Sequence, residues 1–410
     1  MKYPNIIVLT RNESLLYHQG NFEKFSPYCF YGCLQERFCK TTGDALLIMS
    51  QENPDIDNLV EYLIEKNIST LTIIINDVFR ARHIKISIPL LSTYTVESDF
   101  ENTVLEEISI SKQIIDRVHP NSYEIYHCEV IPENLQRKLP FEIPIKYFDL
   151  FLAEWALLNT PKISFHTEIK YKISSFNKRK DCHRHILCSL LHREKDVLLT
   201  FCKKENFNFL LKNNFLPIKD FKPQMRHSIL KNAKHFEKEK LRIILNDRHR
   251  HLVQSYNEDE FKDKIDQDAV EMFLAIRKSF VNVITETRYN GPFKNISEKS
   301  LKPIIAKRPF IMLGPPGNLQ MLKDFGFKTF NYWWDEGYDN EYNDVRRFEK
   351  VYDLCKKILK TDREILRKQL KEMESVIEHN YKILSKLPIN MLSTIGIDIP
   401  QTELKNNFID

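Results

Sequence analysis

Short β-branched and aliphatic runs alternate along this chain with segments whose apolar residues recur every three to four positions. That alternation restricts the chain to an α/β architecture. Strands are expected at 5–9, 45–49, 70–75, 171–176, 196–201, 280–285 and 309–313. Helices are expected at 57–66, 101–118, 182–192, 269–278, 297–306, 319–325, 347–359 and 362–384. The last opens with a capping-box pattern, Thr361-x-x-Glu364. Residues 147–158 are amphipathic and aromatic, and read as the crossing between two domains.

Glycine narrows the search for a site. The 410 residues hold nine glycines, and five of them fall between Gly291 and Gly337. None occurs between Gly43 and Gly291. Glycine serves where the backbone takes positive φ or approaches another group closely. The backbone-special positions are therefore concentrated in one region, around the turn Gly314-Pro315-Pro316-Gly317 and the tight turn at Gly326.

Composition excludes some classes. The net charge is +5, from 61 Lys+Arg and 56 Asp+Glu, which permits a polyanionic partner without arguing for one. No run approaches the ~18 apolar residues of a membrane span. The N-terminus lacks a signal-peptide pattern, since Arg11 interrupts its short apolar segment. Eight cysteines are scattered with no C-x-x-C, as expected for free thiols in a reducing cytoplasm. The richness in Ile, Lys and Asn is that of an AT-rich genome.

Three segments carry residue types suited to chemistry. Ser297-Glu298-Lys299 stands at a helix start, with Lys302 one turn on. A helix N-terminus favours anions such as a diphosphate. Glu298 can accept hydrogen bonds from ribose hydroxyls there, and Lys299 can pair with a phosphate; equally, Glu298 can complement the helix dipole beside a solvated Lys299. Pro303 complicates this helix by removing an internal hydrogen bond. Thr285-Glu286-Thr287 ends the preceding strand, where ligands of open parallel sheets bind; Glu286 is there a catalytic candidate or an ordinary strand end. The basic turn Asn177-Lys178-Arg179-Lys180, running into Cys182-His183-Arg184-His185, suits a diphosphate or is a solvated turn.

Metal readings are weaker. Asp55-Ile56-Asp57 and Asp266-Gln267-Asp268 have the spacing of a metal-dependent sugar-transfer site, but both sit at polar helix starts. His183/His185, His227, His235 and His249/His251 form no H-E-x-x-H, and Cys29, Cys33 and Cys39 lack zinc-ribbon spacing. Trp333 and Trp334 can stack on a base or sugar, or plug a domain interface. Carboxylates at strand ends of the N-terminal half are general-base candidates. Glu13, Glu52 and Asp77 are candidates, and Asp77 is preferred because it follows the clearest strand. Arg80 and Arg82 beside it can hold an anionic acceptor or be merely exposed.

Taken together, the strand ending in a Glu tripeptide, the S-E-K helix and the strand reading Pro309-Phe310-Ile311 to Gly314 resemble the donor half of GT-B glycosyltransferases. The similarity is to fucosyltransferase-like families and their viral and bacterial relatives. Asn177, Arg179, His183 and Arg184 match an N-x-R-x-x-x-H-R segment of those relatives, and residues 326–339 resemble their G-F-x-T-F…D-E-x-Y-D tail. The resemblance covers about residues 170–350, and Ser297 replaces the Thr of the family's T-E-K. The resemblance implies two Rossmann-like domains facing across a cleft: an acceptor domain at 1–160, a donor domain at 161–350, and C-terminal helices at 351–410 packing back on the first domain. It implies that Glu298 holds the ribose of a nucleotide diphosphate sugar, and that Lys299 with Arg179 or Arg184 holds the diphosphate. It places Glu286 near the transferred sugar. The expected activity is transfer of the sugar to a hydroxyl of a glycan or small molecule, with protein cations replacing a metal and no cofactor. DNA with hydroxymethylated pyrimidines is an alternative acceptor, and non-catalytic nucleotide-sugar binding an alternative function.

Overall fold

The computed structural model of the 410-residue chain describes residues 6–9, 44–49, 56–75, 97–127, 131, 133–139, 145–148, 152, 156, 163–177, 181–200, 216, 218–232, 272–290, 294 and 296–394. Asp77, Arg179, Glu13, Glu52, Arg80, Arg82, the second Asp-x-Asp triplet, His235, His249, His251 and the three N-terminal cysteines lie outside them. The chain divides into two compact units. Unit 1 holds residues 1–158 and 387–407, and unit 2 holds 159–386 with 408–410.

Unit 1 carries a five-stranded sheet of β1 (Ile6–Leu9), β2 (Asp44–Met49), β3 (Thr70–Ile75), β4 (Ser122–His127) and β5 (Lys146–Tyr147). All neighbours are parallel, and the strands lie in chain order. Helix α1 (Ile56–Glu65) connects β2 to β3, and α2 (Glu97–Val118) runs between β3 and β4. Leu59, Val60 and Leu63 of α1 are buried, as are Ile108, Ile114 and Ile115 of α2. The spacing of these residues makes one apolar stripe per helix. Asp57 of the first Asp-x-Asp triplet accepts an ion pair from Arg117 at 2.6 Å, which ties α1 to the end of α2. Residues 387–394 close unit 1 from the C-terminal side, where the Tyr126 hydroxyl lies 2.8 Å from the Thr394 carbonyl oxygen.

Unit 2 carries a second parallel sheet, β6 (Tyr171–Phe176), β7 (Val197–Thr200), β8 (Ser279–Thr285) and β9 (Phe310–Leu313), in the order β7-β6-β8-β9. Every residue of β8 and β9 is buried. Such continuous burial is the mark of parallel strands covered on both faces. Its helices include α3 (Cys182–Leu191), α4 (Glu298–Ile305), α5 (Asn318–Asp324), α6 (Asp344–Lys360), α7 (Arg363–Glu372) and α8 (Glu374–Thr394), the last running on into unit 1 from residue 387.

Between α6 and α8 the structure differs from the reading of one helix over 362–384. The segment is two helices, broken at Met373. Thr361 is also not the N-cap: it closes α6, donating its hydroxyl to the Lys357 carbonyl at 2.9 Å. Asp362 caps α7 instead, accepting from the Glu364 amide at 2.8 Å. With Thr361 engaged by the preceding helix, the next polar residue takes the cap.

The two central strands of unit 2 are joined by side chains as well as backbone. Ser174 meets Ser279 at 2.8 Å, Ser175 donates to the Val283 carbonyl at 2.9 Å, and Asn282 donates to Ser174 Oγ at 2.9 Å. Thr285 Oγ1 donates to Asn177 Oδ1 at 2.5 Å. Buried polar groups are tolerated when each finds a partner. This ladder fixes β6 against β8 up to their carboxyl ends.

At the opposite end of the sheet, buried Arg308 donates to the carbonyls of Ser279 and Lys307 at 2.8 and 2.9 Å. It also donates to the His166 ring at 3.0 Å. Burial first, then the charge of Arg308, pushes His166 down to about 4, so its imidazole is a neutral acceptor there.

Candidate functional site

The chain reverses its direction of sheet growth between β6 and β8. From β6 it moves out to β7, then returns to place β8 on the other side. Crevices at the carboxyl ends of such strands are where open α/β sheets bind ligands. The described strands of unit 1 show no reversal. The switch point of unit 2 brings together the residues after β6, the residues after β8 and the first turn of α4.

Glu286 is the centre of this junction. It directly follows β8 and is 0% exposed. Its carboxylate accepts from Ser297 Oγ at 2.5 Å, Ser300 Oγ at 2.6 Å, the Thr287 amide at 3.2 Å and the Ser297 amide at 3.4 Å. A carboxylate can be buried only when such donors replace its water. Ser297 is the N-cap of α4 and accepts from the Lys299 amide at 3.2 Å. Glu286 therefore holds the start of α4 against the end of β8. Gly314 makes room for it, because a Cβ there would stand 3.2 Å from Glu286 Cβ. In this geometry Glu286 positions the helix; it does not face an open crevice.

Two residues of the basic segment grip the same strand end. His183 donates from Nε2 to the Glu286 carbonyl at 2.9 Å, and Arg184 donates to the Thr285 carbonyl at 3.0 Å. Arg184 Nη1 also lies 2.9 Å from Asp181 Oδ2. At 1% exposure Arg184 is sealed beneath the surface. It can act on a ligand through its field, but not by contact. Asn177, 3% exposed, belongs to the strand-joining ladder. Thus the matched residues Asn177, His183 and Arg184 build the floor of the site.

The accessible charges stand on α4. Glu298 and Lys299 form an ion pair at 2.8 Å, with side chains 22% and 19% exposed. Burial alone would raise the Glu298 pKa, but Lys299 and then Lys302 outweigh it and hold the carboxylate well below its usual range. Lys302 is partly buried, and this burial pulls its pKa down to about 8 against the opposing attraction of Glu298. Lys299 and Arg184 push in the same direction as burial, and Glu286 opposes them. Glu298, Lys299, Lys302, Glu286 and Arg184 are therefore one electrostatic cluster.

The neighbouring helix start is closed. Asp339 Oδ1 accepts from the Leu319 amide at 3.0 Å and Oδ2 from the Gln320 amide at 3.3 Å, so its carboxylate occupies the N-terminus of α5. Gly317 takes φ 82 there, and its amide donates to the Asp339 carbonyl at 2.7 Å. Glu336 accepts from the Phe330 amide at 2.8 Å, and Tyr338 accepts from the Met312 amide at 3.4 Å. The acidic tail at 335–339 thus ties α5 and β9 into the unit. Trp334, 9% exposed, packs on Phe280 and Phe330 with ring centroids 6.4 and 5.4 Å away. It is a core residue of unit 2. Trp333 lies at the edge of this aromatic group, 6.2 Å from Phe330.

Gly314 falls in the glycine-rich region that the sequence marks, whereas Ser300 is not singled out by any of the sequence motifs. Ser300 falls three residues after the N-cap, the spacing that returns a side chain to the helix start. Among the described residues no three His, Cys, Asp or Glu side chains converge as a metal group. Comparison with family models, curated proteins and solved structures finds no match to this chain.

Proposed function

We propose that the carboxyl edge of the unit 2 sheet binds a nucleotide diphosphate sugar, and that the chain is a GT-B glycosyltransferase acting on a hydroxyl acceptor. The observation that carries this reading is the accessible Glu298–Lys299–Lys302 group on the first turns of α4, beside the β6/β8 switch point. A carboxylate held in its charged form suits a ribose diol, because it accepts two hydrogen bonds from neighbouring hydroxyls. The ammoniums of Lys299 and Lys302 suit the diphosphate, helped by the field of buried Arg184. Positioned cations of this kind stabilise the charge that develops on a departing nucleotide diphosphate. Arg179, which follows β6 in the sequence, is the further cation proposed for the diphosphate. Asp77 is the base proposed for the acceptor, in the half of the chain that would complete the two-domain arrangement. Glu286 supports the site from below in this reading.

The test is binding of UDP, GDP, CDP and TDP, measured by thermal shift and calorimetry. A cognate nucleotide should stabilise the protein by ~2.7 kcal/mol at a hundredfold excess over its dissociation constant. Glu298→Ala should then weaken binding by about 1.5–3 kcal/mol, the range for hydrogen bonds to charged groups. Unchanged affinity in that variant would remove the ribose role of Glu298. Binding by the wild type to none of the four would remove the donor site altogether.

A further inference from the structure

The residues just after Glu286 are fastened by a stack of side chains that joins α3 to α6. Tyr289, 4% exposed, lies three residues past Glu286. Its ring stacks on His183, with centroids 4.8 Å apart and planes 13° from parallel. The guanidinium carbon of Arg347 lies 4.4 Å from the centroid of the same ring. The Tyr289 hydroxyl donates to the Asp344 carbonyl at 2.5 Å, at the start of α6. Arg347, 1% exposed, returns the contact by donating to the Tyr289 carbonyl at 2.5 Å, and it also reaches the Glu341 carbonyl at 2.8 Å and Asp344 Oδ1 at 2.5 Å. His183 completes the connection through its bond to the Glu286 carbonyl.

We infer that Arg347 and Tyr289 are positioning residues for the anion site: through His183 and Glu286 they set the placement of the Glu298–Lys299–Lys302 group. The geometry gives a reason for each residue type. A planar guanidinium can cover an aromatic face and still send separate N–H groups to several acceptors, which an ammonium cannot do. Tyrosine supplies both the stacking surface and the hydroxyl that reaches α6. Glu286 is held by α3 through His183, which Tyr289 joins to α6, and by β9, whose Leu313 carbonyl accepts from the Glu286 amide at 3.0 Å. Its carboxylate carries that placement to Ser297 and Ser300, and so to α4. Loosening the stack shifts the carboxylate and lets water reach the first turns of α4.

The inference rests on the anion-site reading for its ligand, but its test does not need one. The variants are Arg347→Lys, which keeps the charge and loses the fork, and Tyr289→Phe, which keeps the ring and loses the bond to Asp344. The first readout is the titration of Lys302 in the free full-length protein, followed by NMR of carbon-13 lysine. That titration senses Glu286 and Arg184 as well as Glu298, so it reports their placement. In Arg347→Lys the midpoint should move up from about 8 toward the ordinary 10.5, with a smaller shift in the same direction for Tyr289→Phe. The second readout is affinity for whichever of UDP, GDP, CDP or TDP binds the wild type. A loss of about tenfold, or 1.4 kcal/mol, is expected for Arg347→Lys. Folded variants whose Lys302 titrates as in the wild type would overturn the inference, whatever nucleotide binding shows. Loss of folding in both variants would also overturn it, assigning the stack to the core alone. A wild type that binds no nucleotide, with the Lys302 shift intact, would remove the donor reading and leave the positioning inference standing.

Discussion

Lys302 is the residue at which the proposed anion binding and protonation would meet. Burial, with Lys299 and Arg184 nearby, lowers its pKa to about 8 from 10.5. Between those values the unfolded chain binds more protons than the folded one, so this group makes stability rise with pH across that window. A bound diphosphate would reverse the local field and raise the Lys302 pKa again. Binding should then take up close to ~1 proton at pH 9 and only about a tenth of one at pH 7, if the bound pKa reaches its ordinary range. Calorimetry in buffers of different ionisation enthalpy measures this directly, and affinity should fall as pH rises above 8. A proton uptake that is the same at both pH values would place the anion away from Lys302. Glu298 gives a pH dependence of the same sign in the acid range. Its depressed pKa contributes stability that is present above the usual carboxylate range and lost as the pH falls through the depressed folded value.

Among the elements, α4 and α7 show how a helix start is decided by what precedes it. The α4 start is shared between its own N-cap, Ser297, and a carboxylate from the preceding strand. The α7 start is capped by Asp362 because Thr361 is already used by α6. Asp362→Ala should therefore cost about 1 kcal/mol, the usual loss for an N-cap, and Thr361→Ala less. Urea unfolding of the two variants checks the order, and a larger loss at Thr361 would restore it as the cap. At α5 the anion is internal: Asp339 occupies the N-terminus that a phosphate could otherwise approach. Of these two helix starts on the carboxyl side of the sheet, that of α5 is filled by Asp339, with Lys294 also beside its N-cap Gly317, whereas α4 carries cations of its own in its first turns.

For the molecule as a whole, the proposed reaction makes two claims about partners. In the proposed reaction the cations on α4 neutralise the diphosphate in place of a metal, so sugar transfer should persist in excess EDTA. Loss of turnover with EDTA, restored by Mn²⁺ or Mg²⁺, would refute the metal-free mechanism. The net charge of +5 is mild over 410 residues and lacks the basic surplus of a dedicated DNA binder. Six to ten phosphate contacts would make affinity fall by ~10³–10⁵ between 50 and 200 mM salt. Duplex DNA should instead bind weakly, with little salt dependence, in a filter or anisotropy assay. Tight and salt-sensitive binding would favour the DNA-modifying alternative. No helix among the described residues is long and apolar enough to cross a membrane.

Local pattern was sufficient for much of this. The β-branched run at Thr70–Ile75, the wholly buried β8 and the serine cap at Ser297 follow from neighbours in sequence, because strand propensity, apolar runs and caps act over a few residues. Gly317 and Gly326, with φ 82 and 87, sit where the concentration of glycine placed special backbone. The break at Met373 was not visible, since the apolar period continues through it and the change of helix is made by packing. The exposure of each charge was not visible either. Arg184, Glu286 and Lys299 look alike as polar residues near strand ends, yet Arg184 and Glu286 are sealed and the Lys299 side chain keeps 19% of its surface exposed. That distinction depends on partners 101 and 14 residues away, Thr285 for Arg184 and Ser300 for Glu286. The sequence by itself determined where strands, turns and charges occur along the chain. Only the tertiary structure decided which charges became supports and which remained accessible, because burial is a property of residues brought together from distant positions.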